Sequence, residues 1–213
     1  MIRALILDYG NVISKANTGD CAVEMEKLTG VSADIFRSVY DKYRFDFDRG
    51  VIGGAEMYRR LLDGAGFSKV AADTALMQKI ARIDLESWRP VHDDVCKWAL
   101  GVQKAGYKLG ILSNMPYEFL DAYEKDIPPF TAADYACFSC RVKLIKPEPE
   151  IYKTCLDGLG VAPEESVFFD DVRQNVDAAL KLGINAFVWT NLAQGKKDWE
   201  NCIINRQIIK HNL

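Results

Sequence analysis

Hydrophobic positions change their rhythm along this chain. Ala4-Leu5-Ile6-Leu7 is a short apolar run that stops on Asp8, and Gly10-Asn11 then breaks the pattern. A short apolar run bounded by turn residues fits a strand buried on both faces, as in a parallel sheet. Two later runs have the same form. Lys108-Leu109-Gly110-Ile111-Leu112 delivers Ser113-Asn114, and Ser166-Val167-Phe168-Phe169 delivers Asp170-Asp171. Tyr135 to Ser139 and Asn185 to Trp189 predict two further strands.

Between the first and second strands the spacing turns helical. Helices are expected over Asn17 to about Thr29, from Ser32-Ala33-Asp34 onward through Phe36 and Tyr43, over Ala55 to Leu62, and over about Ala71 to Leu85. The segment Phe45-Asp46-Phe47-Asp48-Arg49-Gly50 reads as an interruption. From Pro90 onward helix and strand alternate. Helices are expected over Val91 to about Ala105, Pro116 to Tyr123, Pro149 to Leu159 and Val172 to Leu182, with a break at Ile127-Pro128-Pro129-Phe130. Lys196 to Leu213 reads as helical and then frayed. The pattern predicts an α/β fold: a doubly wound, Rossmann-like parallel sheet (residues 1–15 and 89–213) with an inserted all-helical cap (residues 16–88).

Composition narrows the function classes. The 213 residues include 49% hydrophobic and 27% charged positions, ordinary for a globular protein with a sizeable core. A net charge of -3 gives no broad attraction to nucleic acid or to an anionic membrane surface. No stretch approaches the length of a bilayer span, and the N-terminus enters a strand without a signal-peptide pattern. The expectation is therefore a cytoplasmic protein whose partner is a small molecule. Six cysteines in that setting read as core thiols. Cys137-x-x-Cys140 lacks the second pair that a zinc site would need. His92 and His211 stand alone, and no oligomeric state is readable.

Candidate chemistry gathers at the strand ends. Parallel sheets present functional groups at the carboxyl edge of their strands. Three neighbouring strands would there bring together Asp8, Ser113 and Asp170-Asp171, with Lys146 next to the stiff Pro147-Glu148-Pro149 segment. Each group has an ordinary alternative: a solvated acid, a helix N-cap pair at Ser113-Asn114, a solvated lysine. Adjacent acids repel each other and favour a nearby cation. Together the set suits a divalent cation and a phosphoryl group.

Asp8 with Val12, Ser113, Lys146-Pro147 and Asp170-Asp171 resemble the four ordered motifs of the haloacid dehalogenase-like hydrolase superfamily, across nearly the full length. The form Asp8-Tyr9-Gly10-Asn11-Val12 is most similar to the bacterial sugar-phosphatase subgroup that includes alpha-D-glucose-1-phosphate phosphatase. The resemblance implies a Mg²⁺-dependent phosphatase acting on a small phosphorylated metabolite, with a sugar phosphate as one candidate. Asp8 would be the nucleophile that forms an aspartyl-phosphate. Ser113 would donate to a phosphoryl oxygen, and Lys146 would neutralise charge on nucleophile and phosphate. Asp8, Asp170, Asp171 and the Gly10 carbonyl would hold the metal. Asn114 and Arg49 are the substrate-binding candidates.

One position departs from the pattern. Most phosphatases of the superfamily carry a second aspartate two residues after the nucleophile, as general acid and base; here that residue is Gly10. An activated leaving group such as an anomeric phosphate, an acid from the cap (Asp46 or Asp48), or loss of activity would each accommodate it. The competing readings are a 2-haloacid dehalogenase, a binding or regulatory module and, ranked below hydrolysis, a hexose-phosphate mutase. Asp170-Asp171 argue against the dehalogenase, because they would repel a carboxylate substrate.

Overall fold

The computed structural model describes residues 1–15 and 20–211. The start of the first expected helix, at Asn17, and the terminal Leu213 lie outside the described residues. The chain opens with β1 (Ala4–Leu7), followed by α1 (Asp20–Thr29), α2 (Ala33–Asp48), α3 (Gly54–Gly64), α4 (Ser68–Ala71) and α5 (Thr74–Ser87). Helix and strand then alternate through α6 (Asp93–Lys104), β2 (Lys108–Ser113), α7 (Tyr117–Tyr123), α8 (Pro128–Ala132), β3 (Tyr135–Phe138) and α9 (Ser139–Val142). The chain closes with α10 (Pro149–Leu159), β4 (Ser166–Asp170), α11 (Arg173–Lys181), β5 (Asn185–Val188) and α12 (Leu192–His211).

The five strands form one parallel sheet in the order β3-β2-β1-β4-β5. This is a doubly wound α/β fold, and β1 lies where the winding direction reverses. Leu7 is in register with Ile111 on one side and Phe169 on the other. Asp8, one residue on, is therefore level with Asp170, and Ser113 ends the neighbouring strand. Side chains alternate across the sheet. Leu5, Leu7, Ile111 and Phe169 face one apolar layer, which Val95 of α6 and Phe119 of α7 help to fill. Ile6, Leu112 and Phe168 face the other, packed by Ile151 and Leu159 of α10 and Val176 of α11. Fully burying each such side chain is worth about 1.5–3 kcal/mol.

Helices α1 to α5 surround a separate apolar cluster that includes Met25, Phe36, Phe47, Met57, Leu61 and Ile80. The two chain segments joining this bundle to the sheet run side by side. Ser14 bridges Val91, Lys15 N donates to Pro90 O at 2.7 Å, and His92 N donates to Ile13 O at 2.9 Å.

Local chemistry accounts for the element ends. Ser32 caps α2 by accepting from Asp34 N at 3.3 Å, and Asp73 caps α5 by accepting from Leu76 N at 3.0 Å. The Asp73 cap opens α5 at Thr74, so the helix expected from about Ala71 begins a little later, and the short α4, ending at Ala71, precedes it. The Phe45–Gly50 segment is likewise not an interruption. Helix α2 continues to Asp48, because Phe47 faces the bundle core while Phe45 faces solvent. The helix stops at Gly50, whose φ of +67° favours glycine and whose Cβ position would lie 2.8 Å from the Tyr117 ring. Pro128 opens the short α8, where only a break is expected from sequence.

Candidate active site

The carboxyl edge of the sheet and the facing wall of α2 and α5 enclose a cavity of about 730 Å³. Asp8, at the tip of β1, is buried. Its Oδ1 accepts from Tyr9 N at 2.7 Å and lies 2.8 Å from Lys146 Nζ. The same ammonium lies 2.6 Å from Asp170 Oδ2, and Lys146 itself is only 2% exposed. Asp170 is further held by Val172 N at 2.8 Å and by Asn175 Nδ2 at 3.1 Å from each of its oxygens. Asp171 accepts from Asn11 Nδ2 at 2.7 Å. Ser113 and Gly10 line the same cavity.

Electrostatically the edge is unbalanced. Asp8, Asp170 and Asp171 each offer one carboxylate oxygen within 4.8 Å of the others, against the single ammonium of Lys146. Burial pushes the Asp8 carboxyl above its ordinary value, while Lys146 pulls it back and Asp170 and Asp171 add to the rise. Burial also raises Asp171, opposed by its hydrogen bond from Asn11. Lys146 loses by burial but is held above its ordinary value by Asp170 and Asp8, so it stays an ammonium. A cluster of hard oxygen donors with surplus negative charge suits Mg²⁺; a zinc site would call for nitrogen or sulfur donors. The three acids therefore fit a bound metal.

The other candidates from sequence fall in different places. Asn114 lines the cavity, but both ends of its amide engage the Lys146 backbone. Arg49 lies off the cavity wall, in a two-pronged pair with Glu148 at 2.6 and 3.1 Å and with Nη1 also on Lys143 O at 3.1 Å. It ties the end of α2 to the segment before α10. Of the two cap acids, Asp46 is exposed and pairs with Arg60 at 3.1 Å, whereas Asp48 is buried in the cavity wall. Cys137, Cys140 and Cys155 are buried thiols, and no metal cluster among the described residues includes them. His92 is the N-cap of α6 and does not line the cavity.

Sequence reasoning missed a polar network on the helical wall. Arg44 Nε donates to Asp48 Oδ2 at 2.7 Å, and its Nη1 donates to Tyr40 OH at 2.8 Å. Tyr40 OH in turn donates to Asp84, 2.9 Å from Oδ2. Trp88 Nε1 reaches Asp84 Oδ1 at 3.3 Å, and the Arg44 guanidinium covers the Trp88 ring. Burial pushes Asp48 and Asp84 above their ordinary values, with Arg44 opposing in both. The signal was present: Tyr40, Arg44 and Asp48 are spaced i, i+4, i+8, and Asp84 and Trp88 are spaced i, i+4, so each set shares a helix face. Asn11 and Asn175, which hold two of the acids, carry no such periodic signal.

Residues 2–183 match the haloacid dehalogenase-like hydrolase family. A Bacillus subtilis relative named "Putative phosphatase YhcW" is 24% identical over 94% of this chain and 89% of its own. Among solved structures, a HAD-family enzyme of Bacteroides thetaiotaomicron in complex with magnesium and inorganic phosphate superimposes with a TM-score of 0.66. It is 20% identical, over 89% of this chain and 95% of that one. The L-2-haloacid dehalogenase of Xanthobacter autotrophicus, with chloropropionic acid covalently bound, superimposes with a TM-score of 0.67. It is 19% identical, over 92% of this chain and 80% of that one. No helix of the described residues is long and apolar enough to cross a membrane.

Proposed function

The chain belongs to the haloacid dehalogenase-like hydrolase family, and on that premise we propose that it hydrolyses the phosphate monoester of a small metabolite, with Asp8 as nucleophile. The observation that supports this most is the position of Lys146, whose ammonium is within 2.8 Å of Asp8 and 2.6 Å of Asp170. An ammonium held there neutralises a nucleophilic carboxylate as it approaches an anionic phosphate. Helices α1 to α5 act as the cap in this reading, covering the reacting edge and keeping water from it.

In the first step an Asp8 oxygen attacks phosphorus, the bond to the leaving alcohol breaks, and an aspartyl-phosphate remains. In the second, water attacks that phosphorus and releases inorganic phosphate with the Asp8 carboxylate restored. Ser113 donates its hydroxyl to a phosphoryl oxygen, and Lys146 stays between Asp8 and Asp170 throughout. Mg²⁺ held by Asp8, Asp170, Asp171 and the Gly10 carbonyl would supply the positive charge that offsets the surplus of acids around a dianionic phosphate. Gly10 supplies no proton to the departing oxygen. A leaving group that needs little protonation, such as an anomeric sugar phosphate, fits that gap. Acid-quenched turnover tests the proposal: mass spectrometry should find one phosphoryl group on the peptide carrying Asp8, and its absence during steady turnover argues against the covalent step.

Gly10 also supports a second reading, a 2-haloacid dehalogenase, since halide departure needs no proton donor. The three clustered carboxylates oppose it, because a haloacid brings a further carboxylate into the same edge. Chloride release from 2-chloropropionate without phosphatase activity would favour it.

A further inference from the structure

Asp48 is 3% exposed, lies on the wall of the cavity, and its Oδ1 has no hydrogen-bond partner. A buried carboxylate oxygen without a donor is costly, so such an atom calls for a ligand or water. Neighbouring donors do not meet it. Arg44 Nε serves Oδ2, Arg44 Nη1 serves Tyr40, and Tyr40 and Trp88 both serve Asp84. The residue is also rigidly placed. Its backbone carbonyl accepts from Ser139 Oγ at 2.5 Å, and that hydroxyl accepts from Met115 N at 2.8 Å, two residues beyond Ser113. The end of α2 is thus pinned to the same sheet edge that carries the reacting groups.

The geometry points to Asp48 as the residue that recognises the leaving alcohol, by accepting a hydrogen bond on Oδ1 from a hydroxyl of the substrate. Charge narrows the class further. Among the described residues the helical wall carries Asp41, Asp48 and Asp84 against Arg37 and Arg44, and Arg44 is engaged with Asp48 and Tyr40. A second phosphate or a carboxylate on the substrate would meet a wall with more acids than bases. The substrate class is therefore a monophosphate of a neutral polyhydroxylated alcohol, as sugars and polyols provide.

This inference rests on the phosphatase reading, and its test separates the two. Binding is measured by calorimetry in Mg²⁺ buffer on Asp8→Asn protein, which cannot turn over, with and without Asp48→Asn. The ligands are a hexose phosphate, phenyl phosphate and phosphoglycolate. Arg44 draws the amide oxygen of the new side chain, so the amide NH₂ takes the place of the acceptor. The hexose phosphate should bind about 10-fold or more weakly, the loss expected for a hydrogen bond to a charged group. Phenyl phosphate should change by less than about 2-fold, and phosphoglycolate should bind more weakly than the hexose phosphate to the Asp48 protein. Equal weakening of hexose and phenyl phosphates, or no change, overturns the inference, as does binding of none of the three. Unchanged affinity with a loss confined to kcat in the single Asp48→Asn enzyme also overturns it, and would mark Asp48 as the proton donor instead. If the variant does not fold, deoxy analogues of the hexose phosphate decide on protein with Asp48 intact. Removal of one particular hydroxyl should cost about 10-fold, and no hydroxyl costing more than about 2-fold contradicts the assignment. Absence of turnover by the wild type would sink the phosphatase reading while leaving the binding result to stand by itself.

Discussion

Asn114 grips the backbone of Lys146 with both ends of its amide: Oδ1 accepts from Lys146 N at 2.8 Å, and Nδ2 donates to Lys146 O at 3.1 Å. The ammonium that bridges two acids is thereby fixed from the end of the adjacent strand. Asn114→Ala should leave the protein folded, at a cost of about 1–2 kcal/mol, and lower kcat by about 10-fold or more because Lys146 is no longer held in place. Urea unfolding and steady-state kinetics check the two halves. A kcat equal to wild type would show that the grip does not matter for turnover.

Lys146→Met tests the charge balance itself. It leaves Asp8 and Asp170 facing each other in a buried site without the ammonium that separates them. Breaking a buried ion pair from one side is expected to cost about 3–5 kcal/mol, and turnover should vanish. The same unfolding measurement, repeated with added Mg²⁺, should recover part of the loss, since a cation among the three acids replaces some of the missing charge. Stability that does not respond to Mg²⁺ would speak against a metal site there.

Gly10 is open to substitution as far as its backbone is concerned. A Cβ there would sit 3.7 Å from the Trp88 ring and 3.8 Å from Asp8 Oδ2, both ordinary contacts. Gly10→Asp should therefore fold and place a carboxyl where a proton donor is missing. Hydrolysis of an alkyl phosphate should rise by about 10-fold or more, while an aryl phosphate, whose leaving group needs no proton, should gain little. Equal rates for both variants on both esters would show that proton donation does not limit this enzyme.

Burial governs the cysteines. It pushes Cys137 up to about 12 and Cys96 and Cys140 to about 11. Thiolates are scarce at those values, so these three should resist a disulfide reagent at about pH 8 until the protein unfolds. Half-buried Cys21 and Cys202 should react first. Labelling followed by peptide mapping distinguishes the groups, and rapid native labelling of Cys137 would contradict the packing described here.

The strands that carry the site were legible because a strand buried on both faces is a continuous apolar run. The runs ending at Leu7, Leu112 and Phe169 stop where the chemistry begins, and the register then brings Asp8 level with Asp170. The helical wall was harder to read. Phe45-Asp46-Phe47-Asp48 alternates with period two, which hides the helix that runs through it and with it the Tyr40–Arg44–Asp48 face. Long-range partners were out of reach. Arg49 is taken up by Glu148, 99 positions away, and no local pattern announces that pairing. Asn11 matters only because a distant acid, Asp171, arrives beside it, whereas Asn175 holds Asp170 from five residues further along the chain.

The central claim is that Asp8 attacks phosphorus, and phosphate release tests it most directly. Wild type and Asp8→Asn would be compared on a panel of phosphorylated sugars and polyols, each with Mg²⁺ and with a chelator. The account predicts release by wild type alone, lost with the chelator, from Asp8→Asn protein that melts within a few degrees of its parent. Turnover by Asp8→Asn at the wild-type rate, or no release from any ester by folded wild-type protein that binds Mg²⁺, would contradict it.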